Sequence, residues 1–404
     1  MDIQIIRGAI GSGKTSYIFQ SIKQKLCQNG RRQVIVVPEQ FSYETERLAA
    51  EHFGGTGLNN AEVMTPSRLV SRYMQHRQKN RLTPSGKMMI MYRAVNSLCE
   101  ENIYFGCAKK PGFLESAAEM VSEFVEYMIT PDILRAKAEE IQNKLLSEKL
   151  FAAAELLEEY IRLSEGFCDS EEDLLALAEY AEDSGCFWEY DFWFDEFSVF
   201  LPQHYRLMQA FLKNGSEIHI SVCIDSDGRE LYDVNRIMLN KIMRLAETTG
   251  AEVSEYKTDD VCRSIHSPEM LFLLNNIDNI NSPDFQPWED ATSDISVFVC
   301  KDLYKEVRHT ALLIRKLVME EGFRYRDIAV VCGNTDAYSH LIEAVFTDFG
   351  IPYFSDTRLS AAEHPISTLL ISVFDIIADN WSYASVFRFL RTGFFFVKTP
   401  EGEV

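Results

Sequence analysis

The sequence has no uninterrupted apolar run of about 18 residues, the length that a membrane-spanning helix requires. Its N-terminus, Met1-Asp2-Ile3, lacks the basic and apolar regions of a secretory signal peptide. We therefore expect a cytoplasmic protein. With 404 residues, of which 46% are hydrophobic, the chain is long enough for two or three domains with real cores.

Closely spaced cysteine and histidine ligands are also missing. The nine cysteines are scattered, and no two have the short spacing that zinc or iron–sulfur sites use. The eight histidines form no pair at helical spacing. This pattern favours free thiols in a reducing compartment and predicts no metal site beyond a nucleotide-bound Mg²⁺.

Basic residues are in the minority, since 40 Lys and Arg face 61 Asp and Glu and the formal net charge is -21. This balance argues against a wholly basic protein that coats DNA. It leaves room for a local basic channel.

The strongest chemical signal is the stretch from Gly8 to Thr15, Gly-Ala-Ile-Gly-Ser-Gly-Lys-Thr, which fits the P-loop pattern. Such loops wrap backbone N–H groups around nucleotide phosphates, with Lys14 reaching the outer phosphates and Thr15 binding Mg²⁺. A predicted strand precedes it at 2–6 and a helical pattern follows it, as the motif requires. An incidental glycine-rich turn is the alternative.

The first third of the chain predicts a parallel α/β sheet. A second apolar strand ends at Val37, and strand–helix–strand order implies a right-handed crossover. The following loop, 38–47, lies at a strand's carboxyl end, where α/β proteins place binding groups. Gln40 is our nucleotide-site candidate there. A third strand should end near Thr65, before a helix that begins at Pro66.

The domain plan follows from periodicity. Residues 85–183 are almost entirely helical in pattern, which predicts an insertion within a P-loop domain made of 1–84 and 184–275. A Pro- and Asn-rich linker is expected at 276–290. An α/β rhythm, with strands at 295–300 and 327–332, predicts a second, partial domain at 291–404.

Two carboxylates follow a bulky apolar segment, Phe192 to Phe194. In P-loop ATPases an aspartate at this position holds Mg²⁺ and an adjacent glutamate can orient the attacking water. We assign these roles to Asp195 and Glu196. A strand that simply ends in surface acids is the alternative interpretation, since the whole chain is acidic.

Several of these motifs together resemble the B subunit of the AddAB-type ATP-dependent helicase–nucleases. The resemblance rests on Gly8 to Thr15, Pro38-Glu39-Gln40-Phe41-Ser42, Met64 to Leu69, Asp195-Glu196-Phe197 and Phe200 to Gln203. In the second domain, 327–331 and Gly350 to Tyr353 look like superfamily 1 helicases, and His364-Pro365 with Leu390 to Gly393 fits the same family.

The resemblance implies a superfamily 1 helicase-like fold and a bacterial complex that processes double-strand DNA ends for recombinational repair and scans for a regulatory sequence. It implies ATP and Mg²⁺ as cofactors, and double-strand ends, single-stranded DNA and a helicase–nuclease A subunit as partners in a heterodimer. The family's nuclease domain and iron–sulfur cluster lie toward its C-terminus, so we expect this chain to be an N-terminal fragment without those ligands. The site residues that it implies are, for the nucleotide, Gly8, Gly11, Ser12, Gly13, Lys14, Thr15, Ser16 and Gln40; for Mg²⁺, Thr15 and Asp195; for catalysis, Asp195 and Glu196; and for DNA, Thr65, Arg68 and Arg72.

Three departures from the pattern bear on mechanism. Only seven residues precede Gly8, so the usual adenine-reading segment is not expected upstream. The position where superfamily 1 helicases often carry an arginine that stabilises the transferring phosphoryl group is here Gly333. Conversely, the family often has Asp-Gly-Phe where this chain has Asp195-Glu196-Phe197, so a glutamate replaces the usual glycine.

Three hypotheses follow. The first is a chain that binds ATP and scans DNA while its partner drives translocation. The second is an active ATP-driven translocase, and the third is an unrelated P-loop ATPase or kinase.

Overall fold

The computed structural model describes residues 2–28, 30–57, 60–74, 80–225, 229–258, 267–283, 285–290, 292–355, 361, 364–394, 398–399 and 402–403. The chain forms two compact units, Met1–Ile295 and Ser296–Val404. Among the described helices, none is both long enough and apolar enough to cross a membrane.

The first unit is built on a six-stranded sheet in which all neighbouring strands are parallel. The strands are β1 (Asp2–Gly8), β2 (Arg32–Val36), β3 (Ala61–Met64), β4 (Tyr190–Phe194), β5 (Ile218–Cys223) and β6 (Glu252–Lys257). Their spatial order is β3-β2-β4-β5-β1-β6. The predicted α/β fold with a parallel sheet is thereby confirmed, and the P-loop strand β1 lies between β5 and β6.

Both faces of this sheet are covered by helices. Successive side chains of each strand point to opposite sides, so each strand contributes to two apolar cores. On β2, Val34 and Val36 pack into one apolar core and Ile35 packs into the other. The core around Ile35 is closed by α1 (Lys14–Gln28) and α2 (Ser42–Gly57). The opposite core is closed by α3 (Pro66–Tyr73), α8 (Asp173–Ser184), α9 (Pro202–Lys213) and α10 (Asp233–Thr249).

Between β3 and α8 the chain forms a helical cluster with an apolar core of its own. The cluster consists of α4 (Pro84–Ser97), α5 (Pro111–Glu126), α6 (Pro131–Glu140) and α7 (Lys144–Ser164). Met91, Val121, Leu156 and Leu157 are fully buried in its centre. By contrast, α8 packs with the sheet, because its apolar residues, including Leu177, belong to the core on that side.

The edge strand β6 is not evident from the sequence. It reads Glu-Val-Ser-Glu-Tyr-Lys, and all of its residues but one are solvent-exposed. An edge strand whose residues are mostly exposed has no run of apolar residues by which it could be recognised. A further helix of this unit, α11 (Pro268–Asn276), follows it.

The second unit is mainly helical where it is described. It contains α12 (Leu303–Glu320), α13 (Thr335–Asp348), α14 (Pro365–Ala378), α15 (Tyr383–Leu390) and a short hairpin, β7 (Lys398–Thr399) with β8 (Gly402–Glu403). A small core holds α12 against α13 through Val307, Ala311, Ile314, Val345 and Phe346.

The strands predicted at 295–300 and 327–332 are wrong for the described residues, because neither segment is hydrogen-bonded into a sheet. Val297 is 86% exposed, Val299 97% and Val331 93%. A strand is stable only when neighbouring backbone groups satisfy its own, and no such neighbour is present in the described part of this unit.

Candidate functional site

The P-loop turns tightly between β1 and α1 because two of its glycines adopt backbone angles that other residues avoid. Gly11 has φ 68° and Gly13 has φ 90°. The first intrahelical bond of α1 runs from the Tyr17 N–H to the Gly13 carbonyl, at 3.0 Å. The N–H groups of Lys14, Thr15 and Ser16 precede that bond, so the turn presents the free donors and positive dipole end of a helix.

Gly8 is required for a different reason, close packing. A Cβ atom at this position would lie 1.8 Å from Thr258 Oγ1 and 2.5 Å from Ser12 Oγ. Thr258 directly follows β6, and its hydroxyl lies 2.6 Å from the Ser12 hydroxyl. The edge strand therefore fastens the P-loop from the side, a contact that sequence reasoning missed.

The side chain of Lys14 folds back onto the first residues of the P-loop. Its ammonium group donates hydrogen bonds to the carbonyl oxygens of Gly8, at 3.1 Å, and Ala9, at 2.8 Å. Both acceptors are neutral, so these bonds leave the positive charge of the lysine in place. An anionic phosphate group would be a stronger acceptor for the same donor.

Asp195 follows β4, is 3% exposed, and accepts a hydrogen bond from the Ser221 hydroxyl on β5. Its backbone N–H donates to the Val36 carbonyl at 3.0 Å, which extends the strand pairing by one residue. Because β4 and β1 are parallel, their carboxyl ends meet at one edge of the sheet. The sequence prediction that Asp195 lies at the same edge as the P-loop agrees with this geometry.

Glu196 reaches directly into the P-loop. Its Oε1 accepts a hydrogen bond from the Thr15 hydroxyl at 3.4 Å. Partial desolvation raises the pKa of the Glu196 carboxyl, the neighbouring Asp195 raises it further, and Lys14 and Thr15 act in the opposite direction. Its backbone has φ 62°, a left-handed conformation that is costly for a residue other than glycine.

The donor set at this edge fits Mg²⁺ with a nucleotide. A threonine hydroxyl and carboxylate oxygens are the hard oxygen ligands that Mg²⁺ uses alongside phosphates. Thr15 and Asp195 would hold the ion, as the sequence predicts, and Lys14 would hold the phosphates. In the described part of the chain, including this edge, no group of three or more His, Cys, Asp or Glu side chains is arranged to bind a metal ion.

The remaining nucleotide candidates differ in position. Gly8, Gly11, Ser12, Gly13, Lys14, Thr15 and Ser16 form one continuous turn with the start of α1. Ser12 is buried against Thr258, whereas Ser16 is exposed. Gln40 lies on a short 3-10 turn after β2, where it is also exposed.

The DNA candidates lie around α3. Thr65 is fully buried and its side chain caps this helix by accepting a hydrogen bond from the Arg68 N–H. Arg68 is ion-paired with Glu46, and Arg72 with Glu62, on the exposed side. The two guanidinium groups are therefore surface cations with carboxylate partners, while Thr65 orients the helix that carries them.

Comparison with known proteins places this geometry in context. Residues 5–273 match the protein family described as ADDB, N-terminal. The chain is 31% identical to the B subunit of the ATP-dependent helicase/deoxyribonuclease of Clostridium tetani, over 100% of the chain and 36% of that protein. The protein of the same name from Clostridium kluyveri is 32% identical, over 97% of the chain and 35% of the relative. The chain thus spans about a third of the length of the curated relatives that it matches.

Proposed function

Because the chain belongs to the ADDB N-terminal family, we propose that it is the nucleotide-binding, DNA-contacting part of the B subunit of an ATP-dependent helicase–nuclease that processes double-strand DNA ends. The observation that carries the proposal is the meeting of Lys14, Thr15, Asp195 and Glu196 at one sheet edge. Family membership argues against the interpretation as an unrelated P-loop kinase.

The first unit would act as a superfamily 1 helicase-like P-loop domain, 1–84 with 184–275, interrupted by the helical region at 85–183. A linker at 276–290 would lead to a partial second helicase-like domain at 291–404. The partner would be the A subunit of the same complex, and the substrates would be double-strand ends and the single strands made from them.

In this proposal the chain binds ATP and scans DNA, while most of the translocation is driven by the partner. Support comes from Gly333, which offers no guanidinium group for the transferring phosphoryl group. The competing function, hydrolysis by this chain itself, is supported by Glu196. Its carboxylate faces the Thr15 hydroxyl at the P-loop edge, as a group that orients water would have to do.

One experiment separates the two functions. The assembled complex is prepared with Lys14→Ala in this chain only, and its DNA-stimulated ATP hydrolysis is compared with that of the unmodified complex. Lys23→Ala, an exposed lysine on the same helix, serves as the control. We expect most of the hydrolysis to remain with Lys14→Ala while recognition of the regulatory sequence weakens. Loss of most of the hydrolysis would instead identify this chain as a motor.

DNA contact by α3 has its own test. Arg68→Ala and Arg72→Ala should weaken DNA binding and reduce its dependence on salt by about one counterion each, because each arginine would neutralise a phosphate. Filter binding at two salt concentrations measures both quantities. An unchanged salt slope in both variants would remove α3 from the DNA path.

A further inference from the structure

Gln203 is a buried polar side chain that no step of the proposed function uses. It lies in the first turn of α9, is 3% exposed, and its amide nitrogen donates two hydrogen bonds. The acceptors are the carbonyl of Val125, at 3.0 Å, and the carbonyl of Glu171, at 2.6 Å. Val125 lies in the last turn of α5, and Glu171 lies in the chain that returns from the helical cluster to α8. One amide group thus contacts both α5 and the segment that leads from α7 to α8.

The same helix is fastened to the nucleotide site from the other direction. The loop 195–201 carries both carboxylates and runs straight into α9. Its aromatic residues pack tightly, with ring centroids 4.8 Å apart for Phe197 and Phe200 and 5.8 Å apart for Phe194 and Phe200. Because Glu196 holds a left-handed backbone conformation, this packing must maintain the loop against its local preference.

The helical cluster, α4–α7, is joined to the rest of the unit by two paired connecting segments. Residues Arg81 and Cys168 form a parallel β-bridge, and the Leu82 N–H donates to the Cys168 carbonyl at 2.9 Å. Next to this bridge, Lys87 forms ion pairs with Asp169, at 3.2 Å, and with Glu171, at 3.0 Å.

Among the described residues, the helical cluster is therefore tied to the rest of the unit through the segment 168–171, and through Val125 to Gln203. Its apolar core is separate from the cores of the sheet. A body with its own core can shift as a unit when the contacts that attach it change geometry. Gln203 is the residue that connects the attachment, through Glu171, and α5, through Val125, to α9.

We propose that Gln203 is a positioning residue that couples occupancy of the nucleotide site to the placement of the helical cluster. The inference rests on the proposed function, because it requires a nucleotide at Lys14 and Thr15. When Thr15 binds a nucleotide-bound Mg²⁺, its hydroxyl would no longer donate to Glu196. The loop 195–201 then settles differently, and α9 carries that change to Val125 and Glu171 through the Gln203 amide.

Hydrogen–deuterium exchange tests the coupling directly. Exchange is measured over residues 120–130 and 166–173, with and without a non-hydrolysable ATP analogue and Mg²⁺, and the dissociation constant is measured in parallel. In the unmodified protein we expect the nucleotide to change exchange in both segments by about fivefold or more. Gln203→Leu should abolish that change while the dissociation constant stays within about twofold, since the Gln203 amide bonds to segments away from the P-loop.

Gln209→Leu is the matched control, because it removes an amide from the same helix. The Gln209 amide oxygen accepts a hydrogen bond from Arg206, at 3.4 Å, within α9 itself. This variant should retain the full response. A nucleotide response in Gln203→Leu equal to that of the unmodified protein would overturn the inference.

The unmodified protein provides a second check that does not depend on how the variants fold. If it binds the nucleotide and neither segment changes its exchange, the coupling is wrong while the proposed nucleotide site stands. If it binds no nucleotide at all, the proposed function fails and the coupling fails with it.

Discussion

At the scale of single residues, the P-loop is determined by close packing as much as by its phosphate-binding chemistry. Gly8 has no room for a side chain because the Thr258 hydroxyl occupies the place where a Cβ atom would lie. Gly11 and Gly13 are favoured for a different reason, because their positive φ angles are ones that residues with a side chain rarely adopt.

We expect Gly8→Ala to displace Thr258 and distort the loop, which costs about 1–3 kcal/mol as an overpacked substitution. ATP affinity should fall and the melting temperature should drop by several degrees. Gly30→Ala is the control, since nothing lies within 4 Å of a Cβ atom there. If Gly8→Ala melts and binds like Gly30→Ala, the close contact with Thr258 does not constrain the loop.

A cluster of charged side chains lies near the amino-terminal ends of β4 and β5, away from the P-loop. Glu217 precedes β5 and forms an ion pair with Lys25 of α1, at 2.5 Å, and Lys25 also lies 3.4 Å from the fully buried Asp191. His219 and Lys25 lower the pKa of the Glu217 carboxyl to about 2. Burial lowers the pKa of His219 itself, so that imidazole is neutral near pH 7.

The lowered pKa of Glu217 makes stability depend on acid pH. A carboxyl with a depressed pKa stabilises the fold above its ordinary value of 4.5, and that contribution is lost as the pH falls toward about 2. At pH 7, Glu217→Gln should therefore lower the free energy of unfolding by about 1 kcal/mol, a small value because the pair is partly solvent-screened. The difference should shrink between pH 4.5 and pH 2 in thermal unfolding scans. A constant difference across that range would mean that the ion pair contributes nothing.

At the scale of elements, what the sequence could predict depends on burial. Strands β1, β2, β4 and β5 are buried on both faces, so their apolar runs are visible in the sequence. The alternation of these strands with helices along the chain implies a parallel sheet. The carboxylates after β4 could be placed at the P-loop edge for the same reason. Thr258 could not be found, because it is 246 residues from Ser12 and follows a solvated edge strand.

In the second unit, apolar composition did not predict the structure correctly. The apolar segments 295–300 and 327–332 have the composition of buried strands, and composition alone cannot supply the neighbours that strand pairing needs. Aromatic residues near the end of the chain behave similarly. Trp381 is 72% exposed and Phe394 48%, so a high density of aromatic residues does not by itself show a buried core. Phe395 and Phe396 lie outside the described residues.

The edge strand β6 leads to a prediction of its own. Thr258→Val keeps the shape of the side chain and removes its hydrogen bonds to the Ser12 hydroxyl and the Arg7 carbonyl. We expect nucleotide affinity to fall about fivefold, since a neutral hydrogen bond contributes ~1 kcal/mol. Thr248→Val on α10, whose hydroxyl donates to the Leu245 carbonyl of its own helix, should bind nucleotide normally. Equal affinities in titration calorimetry would show that β6 does not support the loop.

At the scale of the whole molecule, the residues proposed to bind the nucleotide and those proposed to contact DNA lie beside different strands of the sheet. The residues proposed to bind the nucleotide lie at the carboxyl ends of the strands in the first unit. The arginines of α3 lie after β3, at the other end of the strand order from β1. The helix α9 connects β4 to β5, two strands that lie between β3 and β1. Because α9 follows the loop that carries Asp195 and Glu196 and also contains Gln203, it joins that loop to Val125 and Glu171.

We propose above all that Gly8 to Thr15, together with Asp195, binds ATP. The most direct test is the dissociation constant of MgATP for the protein, for Lys14→Ala and for the control Lys23→Ala, measured by equilibrium dialysis. A charge-assisted hydrogen bond contributes ~1.5–3 kcal/mol, so we predict that Lys14→Ala weakens binding at least about tenfold and that Lys23→Ala changes nothing. Equal affinities for all three proteins, or no measurable binding by the unmodified one, would contradict the claim.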